Sequence, residues 1–162
     1  MSHNRAYIKR VTRDMKEISE SKLPGLIVSV NDTMSEFYFK ILPDKDSNFG
    51  SGEFIGKMIL HPKYPFVGPD FMMMTPSGRF QTNHKICLTT TAFHPEDWSP
   101  LNSVISLLVG FQSEFLNEYV KKHIGIGHIV TNSSKKKTYA KQSKSYNQKL
   151  KEEEYFAKGK TL

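Results

Sequence analysis

The sequence lacks the features that mark several common protein classes. A single cysteine among 162 residues excludes an internal disulfide, which argues against a disulfide-stabilised secreted protein and for a reducing compartment. Residues 1–20 are charged throughout, unlike a signal peptide, and no apolar run reaches the roughly 18 residues of a membrane-spanning helix. Glycine-rich phosphate motifs are absent, and scattered histidines around one cysteine lack metal-ligand spacing. We therefore predict no cofactor, no metal and no membrane span in this chain.

The remaining composition is that of one globular domain. Hydrophobic residues make up 38% of the chain, which is enough for a packed core rather than disorder. The length predicts a single domain over 1–162. We expect its core at about 5–130 and a charged helical tail at 134–158. The net charge of +7 favours acidic partners. A nucleic-acid-binding module is one reading of this charge, but no nucleic-acid motif is present, so we expect no nucleic-acid partner.

A helix is predicted over residues 4–20. Four apolar residues recur at helical spacing, namely Ile8, Val11, Met15 and Ile18. Four basic residues recur on another side, namely Arg5, Lys9, Arg13 and Lys16. The basic side is either an ordinary solvated face or a docking surface for an acidic partner.

Four extended runs follow, at 26–30, 37–42, 53–60 and 71–74. Their separation by turn residues predicts an antiparallel meander, and the fold class is therefore α+β. The proline-rich segment 61–69 is expected to be a stiff loop. Ser99 as N-cap and Pro100 at the first helical position predict a central helix from there to about Lys122.

The long loop from Thr75 to Ser99 contains Cys87. A loop of that length inside a compact domain is usually functional. A lone thiol is often an inert packing residue, but His84 and Lys85 lie close in sequence and positive charge favours the thiolate. A thiolate is both a nucleophile and a leaving group, so Cys87 is suited to carry an acyl group as a thioester.

Several motifs together resemble those of the ubiquitin-conjugating enzymes. They are Tyr64-Pro-Phe-x-x-Pro69, the lone Cys87 in a long loop, and Trp98-Ser-Pro100. The pieces Thr75-Pro-Ser-Gly-Arg-Phe80 and Phe93-His-Pro95 are similar to the endoplasmic-reticulum-associated, J-type branch that lacks the His-Pro-Asn motif. The resemblance implies the UBC fold: an N-terminal helix, a four-stranded antiparallel meander, a long active-site loop, a central helix and a C-terminal helical segment.

The resemblance also implies an activity and its partners. Cys87 would accept ubiquitin as a thioester from the activating enzyme and pass it to lysine, or to hydroxyl groups, of protein substrates in endoplasmic-reticulum-associated degradation. Arg5 and Lys9 would help to dock the activating enzyme. Phe66, Pro100 and Leu101 would meet a RING-type ligase. The alternative is a catalytically inactive variant that binds ubiquitin as a scaffold, against which the retained Cys87 argues.

Two departures from the family pattern affect these expectations. Position 79 is Arg, where most of the superfamily has an Asn that supports the oxyanion. Ser77, which stands where the branch usually has Asn, and Asn83 are the candidate replacements. His94 is a candidate base for the incoming nucleophile or else only a loop cap. The second departure is that the branch usually has a C-terminal membrane anchor, whereas the sequence given contains no membrane span. We therefore expect a cytoplasmic protein, which would lie at the cytosolic face of the endoplasmic reticulum if an anchor is missing from this chain.

Overall fold

The first helix buries a face that overlaps the predicted one but is rotated from it. The computed structural model describes residues 3–88, 95–117, 125–157 and 159–162. Helix α1 spans Arg5–Glu20, and the side chain of Asn4 caps it by accepting the Tyr7 N–H, so the predicted helix is confirmed. Its buried residues are Tyr7, Val11, Asp14 and Ile18. Ile8, expected in the apolar stripe, is 41% exposed, because Tyr7 rather than its neighbour turns towards the core.

The predicted meander is confirmed, and a short fifth strand extends it. Strands β1 Leu26–Val30, β2 Glu36–Ile41, β3 Phe54–Ile59, β4 Asp70–Met73 and β5 Lys85–Ile86 form one sheet in chain order. All neighbouring strands are antiparallel. Strand β5 lies inside the segment predicted as irregular loop, and two residues are too few to show a strand period.

The central helix α2 spans Val104–Phe115, so its predicted start at Ser99 and Pro100 was wrong. Ser103 is the N-cap, and it forms a capping box with Ser106. Upstream, the Asn102 N–H donates to the Ser99 carbonyl at 3.0 Å, which makes a turn instead of a first helical turn. The predicted continuation to Lys122 lies outside the described residues.

Helix α2 packs on the sheet through an aromatic cluster. The Phe111 ring stacks on that of Phe71 with centroids 4.7 Å apart, and it also contacts Phe39 and Phe80. Each of these rings is at most 2% exposed. Aromatic contacts of this kind add about 0.5–1.5 kcal/mol each beyond area burial, so the cluster fixes α2 against β2 and β4.

The C-terminal segment is two helices rather than the one that the sequence predicts. Helix α3 spans Ser133–Lys149 and helix α4 spans Glu152–Tyr155, with left-handed Lys151 between them. Most lysines of α3 are exposed, while its other face is buried. There the Asn147 amide donates to the Glu53 carbonyl at 2.8 Å and accepts from the Thr75 hydroxyl at 2.5 Å.

The last residues return to the edge of the sheet. The Val30 N–H donates to the Lys160 carbonyl at 3.1 Å, and the Leu162 N–H donates to the Val28 carbonyl at 2.9 Å. Thr161 is bridged to Ser29 between them. This tail pairing occupies backbone groups of β1, whereas β5 forms the opposite edge.

Candidate active site

Cys87 is the first residue beyond strand β5. Pairing of Ile86 with Phe71 fixes β5 on β4, and the Cys87 N–H then donates to the Ile126 carbonyl at 2.8 Å. The thiol is free of any disulfide, and the residue is partly exposed. Its backbone is therefore held by the sheet on one side and by the chain after α2 on the other.

Two glycines allow the segment 125–128 to lie against Cys87. Gly127 has a φ of +85°, and a Cβ there would lie 2.7 Å from the Lys85 carbonyl oxygen. Any other residue would combine backbone strain with a collision. A Cβ on Gly125 would lie 3.4 Å from the Cβ of Cys87. The close approach that orders Cys87 thus depends on Gly127 in particular.

Arg79, which stands where the family resemblance leads us to expect an oxyanion asparagine, is buried and directed inwards. It is 1% exposed, and its Nη2 lies 2.6 Å from Glu114 Oε1. Its guanidinium also lies over the Phe80 ring at 4.3 Å. Burial lowers the pKa of Arg79, and the Glu114 carboxylate opposes that shift. These contacts give Arg79 a structural role.

The two candidate oxyanion residues lie in different environments. Asn83 is exposed in the turn before β5, with a φ of 59°, and its N–H donates to the Met73 carbonyl at 2.7 Å. Ser77 is fully buried, and its hydroxyl accepts the Arg79 N–H at 3.1 Å. Asn83 is therefore accessible at the surface, and Ser77 is not. His94, the candidate base, lies outside the described residues.

The predicted basic face of α1 is exposed at Arg5, Lys9, Arg13 and Lys16. Arg10, which was not part of the predicted basic face, makes structural contacts within the fold instead. Its Nη1 donates to the Pro100 carbonyl and its Nη2 to the Asn102 carbonyl, each at 2.7 Å. Its Nε lies 3.3 Å from Asp14, which is fully buried. Arg10 thus connects α1 to the turn that presents Leu101.

The three residues expected at a ligase surface are all exposed. Phe66 is 71% and Leu101 is 91% exposed, and Pro100 is exposed beside Leu101. Apolar side chains in such positions are candidates for contact with a partner. The Trp98 indole donates to the Pro65 carbonyl at 2.8 Å, so it ties the segment before Pro100 to the loop of Phe66.

Tyr64 anchors the Phe66 loop from below. Its hydroxyl donates to Asp14 at 2.6 Å, and Arg10 lies over its ring at 5.5 Å. Burial and the Asp14 carboxylate both raise the pKa of Tyr64. Sequence reasoning missed Asp14, for which the signal was a carboxylate at the helical spacing of Val11 and Ile18.

The described residues hold no candidate for a metal site and none for a membrane-spanning helix. Among residues 3–88, 95–117, 125–157 and 159–162, no cluster of His, Cys, Asp or Glu could hold a metal ion. Within the same ranges, none of the helices combines the length and apolar content needed to cross a bilayer.

Comparison with solved structures defines the class of fold. The crystal structure of ubiquitin-conjugating enzyme E2 UbcA1 from Agrocybe aegerita matches 70% of this chain and 84% of its own, with a TM-score of 0.59 and 22% identity. At that identity the match shows the fold alone. It confirms the UBC fold predicted from the sequence motifs.

Comparison of sequences adds the family. The profile described as "Ubiquitin-conjugating enzyme" matches residues 10–154. The "Ubiquitin-conjugating enzyme E2 J2-like" of Dictyostelium discoideum is 33% identical over 145 residues, which are 89% of this chain and 83% of that protein. The "Ubiquitin-conjugating enzyme E2 6" of Schizosaccharomyces pombe is 39% identical over 116 residues, 72% of this chain but only 49% of that protein. The chain belongs to the ubiquitin-conjugating enzyme family.

Proposed function

We propose that this chain accepts ubiquitin as a thioester on Cys87 from the activating enzyme and delivers it to protein substrates with a RING-type ligase. The observation that carries the proposal is a partly exposed cysteine, not bound in a disulfide, at the edge of a UBC sheet. Cys87 is the only thiol in the chain, so it is the only side chain able to hold a thioester. The alternative is an inactive ubiquitin-binding scaffold.

The chemistry is two acyl transfers in sequence. In the first, the Cys87 thiolate attacks the ubiquitin carbonyl carbon, and the activating enzyme's cysteine leaves as a thiolate. In the second, a substrate lysine amine attacks the new thioester, the Cys87 thiolate leaves, and the nitrogen loses a proton to form the amide. Each step passes through a tetrahedral oxyanion that needs a hydrogen-bond donor.

Asn83 and Ser77 are our candidates for that donor. Exposure and a position in the turn before β5 support Asn83. The hydroxyl of Ser77 is buried and bonded to the Arg79 N–H, so a role for it would act through the turn. Loss of an oxyanion donor typically costs ~3 kcal/mol in acyl transfer. We further propose that His94 serves as the base when the acceptor is a hydroxyl group.

The docking surfaces follow the exposed residues already described. The exposure of Arg5 and Lys9 on α1 supports contact with an acidic surface of the activating enzyme. The exposure of Phe66, Pro100 and Leu101 supports contact with the ligase. A role in endoplasmic-reticulum-associated degradation, at the cytosolic face of that membrane, is supported by the Gly78-Arg-Phe80 and Phe93-His-Pro95 motifs.

Incubation with activating enzyme, ubiquitin and ATP tests the proposal. We expect one additional gel band that reductant removes, no band for Cys87→Ala, and a reductant-resistant oxyester for Cys87→Ser. Absence of a band from the unmodified protein would leave the scaffold reading. The charged protein is then discharged to free lysine and to a serine acceptor, and His94→Ala should slow only the second reaction. Undiminished rates with both acceptors would remove His94 from the mechanism.

A further inference from the structure

His128 lies between the buried arginine and the backbone of the candidate nucleophile. Its Nδ1 is 3.2 Å from Arg79 Nη1, and its Nε2 is 2.9 Å from the Cys87 carbonyl oxygen. The histidine is 5% exposed and the arginine 1% exposed. Glu114 completes the chain of contacts through its 2.6 Å ion pair with Arg79. A line of side chains thus runs from α2 to the residue that follows β5.

The donor and acceptor roles along this line follow from chemistry. A guanidinium has only donors and stays protonated in proteins, so His128 Nδ1 must accept from Arg79. The ring proton is then on Nε2, which donates to the Cys87 carbonyl oxygen. Protonation of Nδ1 as well would bring a second N–H and a second positive charge against Arg79. The geometry therefore requires the neutral Nε2–H form of His128.

The surroundings hold the ring of His128 in that orientation. The Phe80 ring meets it edge-on at 4.9 Å, and Phe80 is itself bridged to His128 through the backbone. The His128 N–H donates to the Gly125 carbonyl at 3.2 Å. Phe80 thus contacts the imidazole itself, and the two backbone contacts fix the main chain from which the imidazole projects.

We infer that His128 is a positioning residue for Cys87. The Cys87 N–H is held by Ile126 and its carbonyl by His128, so both backbone groups of the nucleophile are fixed by one segment. That fixes the direction of the side chain relative to the surface where a thioester must form. Neither the sequence motifs nor the family resemblance singles out His128. The inference rests on the proposed function for its catalytic consequence, but its structural part stands without it.

Three substitutions separate the hydrogen bond from the shape of the ring. His128→Gln keeps an N–H donor at the position of Nε2, His128→Asn places its amide only as far as Nδ1, and His128→Phe keeps the ring without either nitrogen. We expect the Asn and Phe variants to discharge ubiquitin to free lysine about tenfold more slowly, the factor that one hydrogen bond commonly controls. The Gln variant should stay within about twofold of the unmodified protein. The concentration of activating enzyme that gives the half-maximal rate of thioester formation should be the same for all variants.

Two further measurements make the outcome independent of ubiquitin transfer. Long-range proton–nitrogen NMR on the unmodified protein at neutral pH should show the Nε2–H tautomer of His128, and it requires no variant to fold. The rate at which iodoacetamide alkylates Cys87 should differ from that of the unmodified protein in the Asn and Phe variants but not in the Gln variant. An Nδ1–H tautomer or a charged ring would overturn the inference. So would equal discharge rates in all variants, or a Gln variant as slow as Phe. If the unmodified protein forms no thioester, the proposed function fails, while NMR and alkylation still decide the role of His128.

Discussion

Arg10 is the side chain whose removal we expect to affect both stability and the Leu101 turn. It donates to the Pro100 and Asn102 carbonyls at 2.7 Å each and pairs with Asp14 at 3.3 Å. Replacement by methionine keeps the apolar stem and removes every one of these bonds. The turn that contains Leu101 would then lose its hydrogen bonds to the Arg10 side chain of α1.

The magnitude follows mainly from the carboxylate left behind. Asp14 is fully buried, and without Arg10 its described side-chain partner is the Tyr64 hydroxyl. Removing one member of a buried ion pair costs about 3–5 kcal/mol, because the remaining charge is uncompensated. The freed Pro100 carbonyl is exposed and can bond water, so it adds little. Against a total stability of about 5–15 kcal/mol, Arg10→Met should destabilise the protein severely.

Urea unfolding of a double-mutant cycle tests this reasoning. The Arg10→Met/Asp14→Asn protein should recover at least half of the loss, because the asparagine carries no charge yet still accepts from Tyr64. Arg13→Met, on the exposed face of the same helix, is the matched control and should stay within about 0.5 kcal/mol. A loss below about 1 kcal/mol for Arg10→Met, or no recovery in the double variant, would refute the argument.

Two other predictions concern backbone geometry and alkaline stability. Gly127→Ala should lose about 1–3 kcal/mol and slow thioester formation, because its φ is +85° and its Cβ would meet the Lys85 carbonyl. Gly110→Ala, in α2 with nothing within 4 Å, should gain ~1 kcal/mol; urea unfolding of both checks the contrast. Burial raises the pKa of Tyr7 from 10.0 to about 12, so its stabilising contribution is full below pH 10 and disappears as the pH rises through 12. Tyr7→Phe should flatten the fall of unfolding free energy across that interval, and an unchanged slope would contradict the burial argument.

The local parts of the fold could be predicted from sequence, and the errors are informative. The α1 helix and four strands follow from hydrophobic period and turn residues. Ser99-Pro100 has the composition of a helix start, but Ser103 makes the capping box and Leu101 stays 91% exposed. Local sequence alone cannot decide whether Ser99 or Ser103 is the N-cap, since the packing of α2 on the sheet selects between them.

The site was predictable only where a motif carries it. Cys87 is identified by its uniqueness and its loop. His128 is distant from Cys87 by 41 positions, and Glu114 from Arg79 by 35, so no spacing rule connects them. The β5 strand and the left-handed Gly127 that create these contacts are likewise products of tertiary packing. A buried arginine paired with a carboxylate on another element cannot be inferred from a single sequence.

The two edges of the sheet differ in what lies beside them: the C-terminal tail pairs with β1, and Cys87 follows β5. An uncovered edge strand offers its backbone groups to any other extended chain. Here Lys160 and Leu162 bond with Val30 and Val28, at the edge of the sheet opposite β5 and Cys87. Opening that short contact would invite strand addition and self-association without disturbing the thiol. As the tail detaches, hydrogen exchange at the Val30 amide should therefore accelerate before exchange at the Cys87 amide. Aggregation of the protein need not be accompanied by a loss of thiol reactivity.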